Sequence, residues 1–420
     1  MSSGGKHDIR NYDLKEGRNG KLGDKRFTIS FPAPLYAFVL VALYAVTAFL
    51  FYRQTIRYNG GYKADTSLYV DMSAEKHGVR LITWIYHWLY SLRGDTLYIA
   101  LYMAAVVVLT VVVNYMVIRW YVSRDGFDGG TKDIARLASV MMLFTGSMYL
   151  PVVHERFYKA SWCTYAWHSP TQQLMILFAM ISLLLFLKIY DNYMKSINPL
   201  YWLGLLFASL ISVWAKPSFM LVFIPTVIVV FLIELAVNAK DGRTGRRFLR
   251  LVLFGLSMVP SGVLILLLNM SIYGEGSKNK VAMQLGGANG FGYNVYAAAF
   301  CGLLFPAVVF LFNLRKFKKM PFQIALGMLF FGIAEWAIFH EVGSRGEHGN
   351  FGWGRQFGCY YVFVCAIVMT IENYRDKKFL GGKKWARAIY FVVVWALLAV
   401  HVLSQMYHFY LMFRGHSYYI

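Results

Sequence analysis

Cysteine is scarce, with 4 in 420 residues, and so is proline, with 10. Cys301, Cys359 and Cys365 fall within apolar runs and Cys163 in a polar stretch, so neither a disulfide framework nor a metal-ligand spacing emerges. Acidic residues are the second shortage: 21 Asp and Glu stand against 42 Lys and Arg, a net charge of +21. Walker, dinucleotide-binding and zinc-protease spacings are missing too. What is abundant is apolar. Hydrophobic residues make up 58% of the chain and aromatics 18%, with a mean hydropathy of +0.47. That composition excludes a soluble globule with an ordinary surface.

The run from Leu97 to Ile118 carries no charged residue and is long enough to cross a hydrocarbon core of roughly 30 Å. Similar runs begin near Phe31, Ile134, Thr171, Leu200, Phe219, Leu251, Val295, Pro321, Phe357 and Ala388. The expectation is an all-α polytopic membrane protein of about 11 transmembrane helices. Residues 1–30 form a basic cytoplasmic arm and residues 31–420 a single transmembrane domain. The run from Phe31 to Tyr52 is too long for a cleavable signal and stays as the first span. Lys and Arg concentrate in alternate loops, around Arg119, Lys188, Arg243, Lys316 and Lys377. By the positive-inside rule those loops and the amino terminus are cytoplasmic, and the setting is the cell membrane. Basic residues scattered beside spans match anionic lipid headgroups rather than nucleic acid.

Residues 53–96 make the first outer loop. Within it Leu81, Ile82, Ile85, Trp88, Leu89 and Leu92 recur at helical spacing against Arg80, Thr83, His87 and Ser91, a helix expected to lie flat at the interface. In a chain so poor in acids, Asp65, Asp71, Glu75 and Asp95 cluster there. Asp65 is the candidate catalytic base, since a carboxylate at the membrane surface can take a proton from an incoming hydroxyl; the alternative is a cap on the helix containing Leu68 to Met72. Asp71 follows six residues later, some ~9 Å along a helix, too far for metal sharing on a straight backbone.

Lys216, in Trp214-Ala215-Lys216-Pro217-Ser218-Phe219, sits where one span ends and the next opens. It either snorkels to the headgroups or contacts a phosphate brought to that depth by a lipid-linked substrate. Arg355, in Gly349-Asn350-Phe351-Gly352-Trp353-Gly354-Arg355 of the last long outer loop, competes for the same task. The aromatics of that loop suit a sugar face or an interfacial belt. His154, Glu155 and Arg156 form a compact outer triad, with His168 at the end of the same loop, either in a site or as interfacial packing. Serine before Pro170 marks a helix start, with Ser169 as cap. Glu335 lies inside an apolar run, where acids face a bundle interior or cavity, to bind substrate or to pair with an internal base.

With the first outer loop and its Asp65, Trp167-His168-Ser169-Pro170-Thr171 and Lys216-Pro217-Ser218-Phe219, the chain resembles the GT-C fold membrane glycosyltransferases of bacterial surface-polysaccharide clusters. The resemblance implies an inverting transferase working on the outer face, with a sugar on a polyprenyl phosphate or diphosphate as donor and a glycan or lipid as acceptor. It implies Asp65 as the base, and Lys216 and Arg355 as stabilisers of the departing phosphate. His168, Asp71, Glu155, Arg156 and Glu335 complete the expected substrate-binding set. The adjacent acidic pair and the large carboxy-terminal soluble domain of better-known members are absent. No metal motif appears, so no cofactor is assigned, although a divalent metal fits the chemistry. A polysaccharide polymerase or ligase, or a transporter or flippase of a lipid-linked substrate, is the alternative.

Overall fold

The computed structural model describes residues 30–56, 64–74, 79–123, 129–152, 162, 164–196, 198–240, 242–274, 277–283, 295–343 and 349–416. Glu75, His154, Glu155, Arg156 and Cys163 lie outside the described residues. The elements are α1 (Ala33–Ile56), α2 (Asp65–Ala74), α3 (Leu81–Arg93), α4 (Leu97–Ser123), α5 (Gly129–Met141), α6 (Pro170–Asn192), α7 (Pro199–Ala215) and α8 (Ser218–Val237). There follow α9 (Thr244–Leu256), α10 (Val259–Tyr273), β1 (Lys280–Met283), α11 (Val295–Leu311), α12 (Met320–Ile338), β2 (Phe339–Val342), α13 (Gly352–Arg375) and α14 (Lys384–Arg414).

Among the described residues, eight helical segments are long and apolar enough to cross a membrane: α1, α4, α6, α8, the α9–α10 pair, α12, α13 and α14. The protein is a multi-pass, all-α membrane protein. Two further apolar helices, α7 and α11, are shorter. The run beginning near Ile134 is not a continuous helix. It is helical to Met141, tightens into a 3-10 turn at Met142–Phe144, then runs irregularly through buried Thr145, Gly146 and Ser147. Irregular backbone at membrane depth needs protein partners, and one face of α14 supplies them. His401 Nδ1 donates to the Gly146 carbonyl, Gln405 Nε2 to that of Ser147 (2.9 Å), and Ser404 Oγ accepts from the Tyr149 amide (3.0 Å).

Helix α13 is the axis of the bundle. Nearly every residue from Gly352 to Ile371 is buried, because α13 packs on α4, α8, α11 and α12 rather than on lipid. Its glycines let a neighbour close in: a Cβ at Gly358 would stand 2.8 Å from the Leu329 backbone, and one at Gly332 of α12 would stand 2.5 Å from the Arg355 amide nitrogen. Small residues at such crossings give membrane helices their close contact. The outer helices invert the pattern, with exposed Phe38, Val41 and Phe49 on α1 and Val392 and Leu403 on α14.

The two ends of the bundle are told apart by contacts. At one end Arg53, near the close of α1, donates to the Phe413 carbonyl at the close of α14 (2.8 Å). At the other, Arg375 at the end of α13 donates to Val122 near the end of α4 (3.3 Å). Strands β1 and β2 pair antiparallel with Val281 opposite Glu341, a short sheet not anticipated in an all-helical reading.

Candidate functional site

Lys-Pro decides the backbone where α7 meets α8. Proline disfavours helical backbone in the residue before it, and Lys216 is extended (φ −162°, ψ 126°), its amide bonded to the Ser212 carbonyl at 2.8 Å. The side chain turns inward instead of snorkelling to solvent. Lys216 is buried, with Nζ 3.4 Å from the centre of the Trp353 ring.

The Gly349–Arg355 segment is a loop only at its start. Gly349 takes a positive φ of 62° and α13 begins at Gly352, so Trp353, Gly354 and Arg355 occupy its first turn, not an outer loop. Gly354 is small because a Cβ there would come within 2.5 Å of Glu335 Oε2 and 2.7 Å of Val222 Cγ1. Arg355 is buried, its Cζ 3.9 Å from the centre of the Trp336 ring and 4.7 Å from that of Trp162. Cation–π contacts of this kind contribute about 2 kcal/mol when desolvated.

His168 is also buried, its ring 6.4 Å from that of Trp353. Burial, then the neighbouring Lys216 charge, pushes its pKa down to about 3, so it is neutral. Helix α6 starts at Pro170 as expected, but the Ser169 side chain forms no capping bond and lies 3.4 Å from Thr171 Oγ1. The carbonyls of Trp167 and His168 hold the end of α1 and the start of α2 in place: Gln54 Nε2 donates to Trp167 (3.1 Å), and Thr66 Oγ1 donates to Gln54 Oε1 (2.7 Å) and to His168 (3.3 Å).

That docking puts Asp65, half-buried in the first turn of α2, one residue from a contact with the His168 backbone. Asp71 is exposed. Asp95 is engaged locally: it accepts from the Leu97 amide at 2.9 Å, opening α4, and from Arg93 at 2.6 Å. The amide first, then the guanidinium, holds its carboxyl below the usual range. Asp95 is thus taken up at the start of α4, while Asp65 stands by the His168 segment.

A cavity of about 640 Å³ opens between α10 and α12. Helix α10 packs on α7 while α12 packs on α8 and α13, which leaves the gap. Lys216, Glu335 and Arg80 line it, with Asn269, Tyr273 and Asn350; Leu221, Phe331, Ile338 and Phe339 are among its apolar walls. Glu341, a buried residue of β2, accepts from Tyr273 and from Asn350 Nδ2 (2.5 Å), tying α10 to the start of α13 at the rim. Asp65, Asp71, His168 and Arg355 are not among the lining residues. Lys216 and Glu335 thus share the cavity, His168 neighbours the Trp353 ring on which Lys216 rests, Arg355 packs on Trp336, and Asp65 stands beside the His168 segment. Arg80, Trp162, Trp336 and Tyr273 were not foreseen; Arg80, just ahead of an aromatic helix start, was the one with a local signal. Among the described residues no group of three or more His, Cys, Asp or Glu is arranged to hold a metal ion. A volume near 640 Å³ with mostly apolar walls and a few polar groups is the usual make-up of a small-molecule site. The chain matches no family model and no curated protein sequence.

Proposed function

We propose that the protein is an integral-membrane glycosyltransferase that moves a sugar from a polyprenyl-linked phosphate donor to an acceptor hydroxyl on the outer face of the cell membrane. The observation that carries this reading is an apolar-walled cavity between two lipid-facing helices with Lys216, Arg80 and Glu335 in its lining, where Lys216 rests on Trp353 while Arg355, two residues on, is held by Trp336 and Trp162. Exposed Leu266 and Met270 on α10 and Phe330 on α12 flank it, so an isoprenoid tail has an apolar route to the cavity.

In this reading α5 with its irregular continuation, α7 and α11 also cross the bilayer, for eleven crossings with the amino terminus in the cytoplasm. Asp65 takes the proton from the acceptor hydroxyl as that oxygen attacks the anomeric carbon. The bond from the anomeric carbon to the phosphate oxygen breaks, the configuration inverts, and the leaving phosphate collects its negative charge beside Lys216 and Arg355. Indole faces suit this task, because they hold a cation in low dielectric without cancelling its charge.

Asp65→Asn is expected to abolish transfer from a polyprenyl-phosphate hexose while leaving expression and melting temperature unchanged. Transfer at the wild-type rate by the purified variant removes Asp65 as the base. The interrupted crossing at 142–150 favours one rival, a transporter, since discontinuous helices recur in such proteins. Labelled lipid that crosses vesicles without any new glycosidic bond decides for that rival.

A further inference from the structure

We propose that Glu335 is the residue by which the cavity recognises a hydroxyl-bearing headgroup, so that its occupant joins an anionic group near Lys216 to a hydroxyl at Glu335; this rests on the donor-binding reading above. Phe331, Ala334, Glu335 and Ile338 form the stripe that α12 turns toward the cavity, at the i, i+3, i+4, i+7 spacing of one helix face. Three members are apolar and pack as walls. A carboxylate in the fourth place does nothing for that wall that a leucine would not do better.

Glu335 is half-buried, and its Oε2 is sealed from solvent without a hydrogen-bond partner. That oxygen lies against Gly354, where any side chain would stand 2.5 Å from it. The glycine leaves Glu335 Oε2 the room it takes up in the wall of the cavity. A carboxyl oxygen can accept from a hydroxyl in either protonation state, and leaving a buried acceptor unmet is costly. An occupant that donates there removes the cost.

The charges around the cavity choose among donors. Lys216 and Arg80 line the same space, so an ammonium headgroup meets two like charges. A neutral hydroxyl is opposed by neither of them, and an anionic group is drawn to Lys216. The occupant described by those terms is an amphiphile whose phosphate and sugar hydroxyls sit side by side.

The test uses full-length protein in nanodiscs and two probes, undecaprenyl phosphate and undecaprenyl phosphate carrying a hexose, with tryptophan fluorescence as the readout. Glu335→Leu is expected to weaken the hexose-bearing lipid by about tenfold to a hundredfold, the range for losing a hydrogen bond to a charged group. Glu335→Gln, which keeps an acceptor, should weaken it less. Both variants should bind the bare phosphate as the wild type does, and that control reports an intact cavity. Equal loss on both probes, or no loss on either, overturns the proposal. Glu335-dependent binding without sugar transfer keeps it and retires the transferase reading. Transfer without Glu335 dependence does the reverse, and a wild-type protein that binds neither probe retires both.

Discussion

The two ends of the helix bundle handle charge in opposite ways. At the end where α6, α8 and α9 meet, Arg247 Nε lies 3.3 Å from Glu234, whose carboxylate also accepts from Tyr190 (2.9 Å) and Tyr193 (2.8 Å). Nearby, Lys316 reaches Glu372 at 2.7 Å and Asn373 at 3.1 Å. At the cavity end, Lys216 and Arg355 rest on indole faces, and Glu335 Oε2 lies against a glycine. Pairing a cation with a carboxylate fixes two helices through opposite charges. Seating it on an aromatic ring holds it by the negative face of the π-system, beside a cavity. The first end is built around ion pairs and the second around rings and a cavity.

The sharpest way to break that contrast is to exchange charge loss between the ends. Lys216→Met keeps an apolar stem over Trp353 but removes the ammonium. It should lower affinity for undecaprenyl phosphate by about tenfold to a hundredfold, the weight of a charge-assisted hydrogen bond. Glu234→Gln should leave that affinity alone and lower thermal stability in detergent, because buried Arg247 loses its counter-charge. If the two variants behave alike in both measurements, the ends are not specialised.

Glycine sharpens the contrast on the side of packing. A Cβ at Gly332 would meet the backbone of Arg355 at 2.5 Å and 2.6 Å, and backbone cannot swing aside. Gly332→Ala should therefore cost about 1–3 kcal/mol, read as a drop in melting temperature, and should disturb ligand binding with it. At Gly255 of α9, by contrast, an added Cβ would meet nothing within 4 Å. Gly255→Ala should raise stability by up to about 1 kcal/mol through helix propensity alone. A neutral Gly332→Ala would mean that α12 and α13 are not held as close as drawn.

Some of this was legible in the chain and some was not, for physical reasons. Long runs such as Leu97–Ile118 report themselves, because crossing a bilayer needs nothing but length and apolarity. Lys-Pro announced the end of α7, since proline restricts the residue before it. The break after Met141 was hidden, because its backbone is satisfied by His401, Ser404 and Gln405, more than 250 positions away. Arg355 was read as a loop residue, since glycine spacing usually means a turn; here Gly354 answers to the approach of α12. On α3 Ile82 and Leu89 of the apolar stripe are buried, but Trp88 and Leu92 are exposed, and Thr83 of the opposite set is buried because it bonds to the Arg80 carbonyl at 2.7 Å and needs no water. The cradle of Trp162 and Trp336 around Arg355 joins three distant segments, and no local pattern encodes such a meeting.

The last expected effect follows pH and involves the cavity end alone. His168 has its pKa pushed down to about 3, first by burial and then by Lys216, while the unfolded chain takes up a proton near the ordinary histidine value of about 6.5. Between those values the unfolded state binds the extra proton, so stability rises with pH across the window and is lost as pH falls from 6.5 toward 3. The slope approaches about 1.4 kcal/mol per pH unit. Melting of the wild type should fall between pH 6.5 and 5.5, and His168→Asn should remove that part of the fall. In Lys216→Met the fall should shrink without vanishing, since burial is the larger cause and remains. An acid transition indifferent to His168 would leave the neutral, buried imidazole without thermodynamic weight, and the cavity end would then owe its shape to tryptophan and glycine alone.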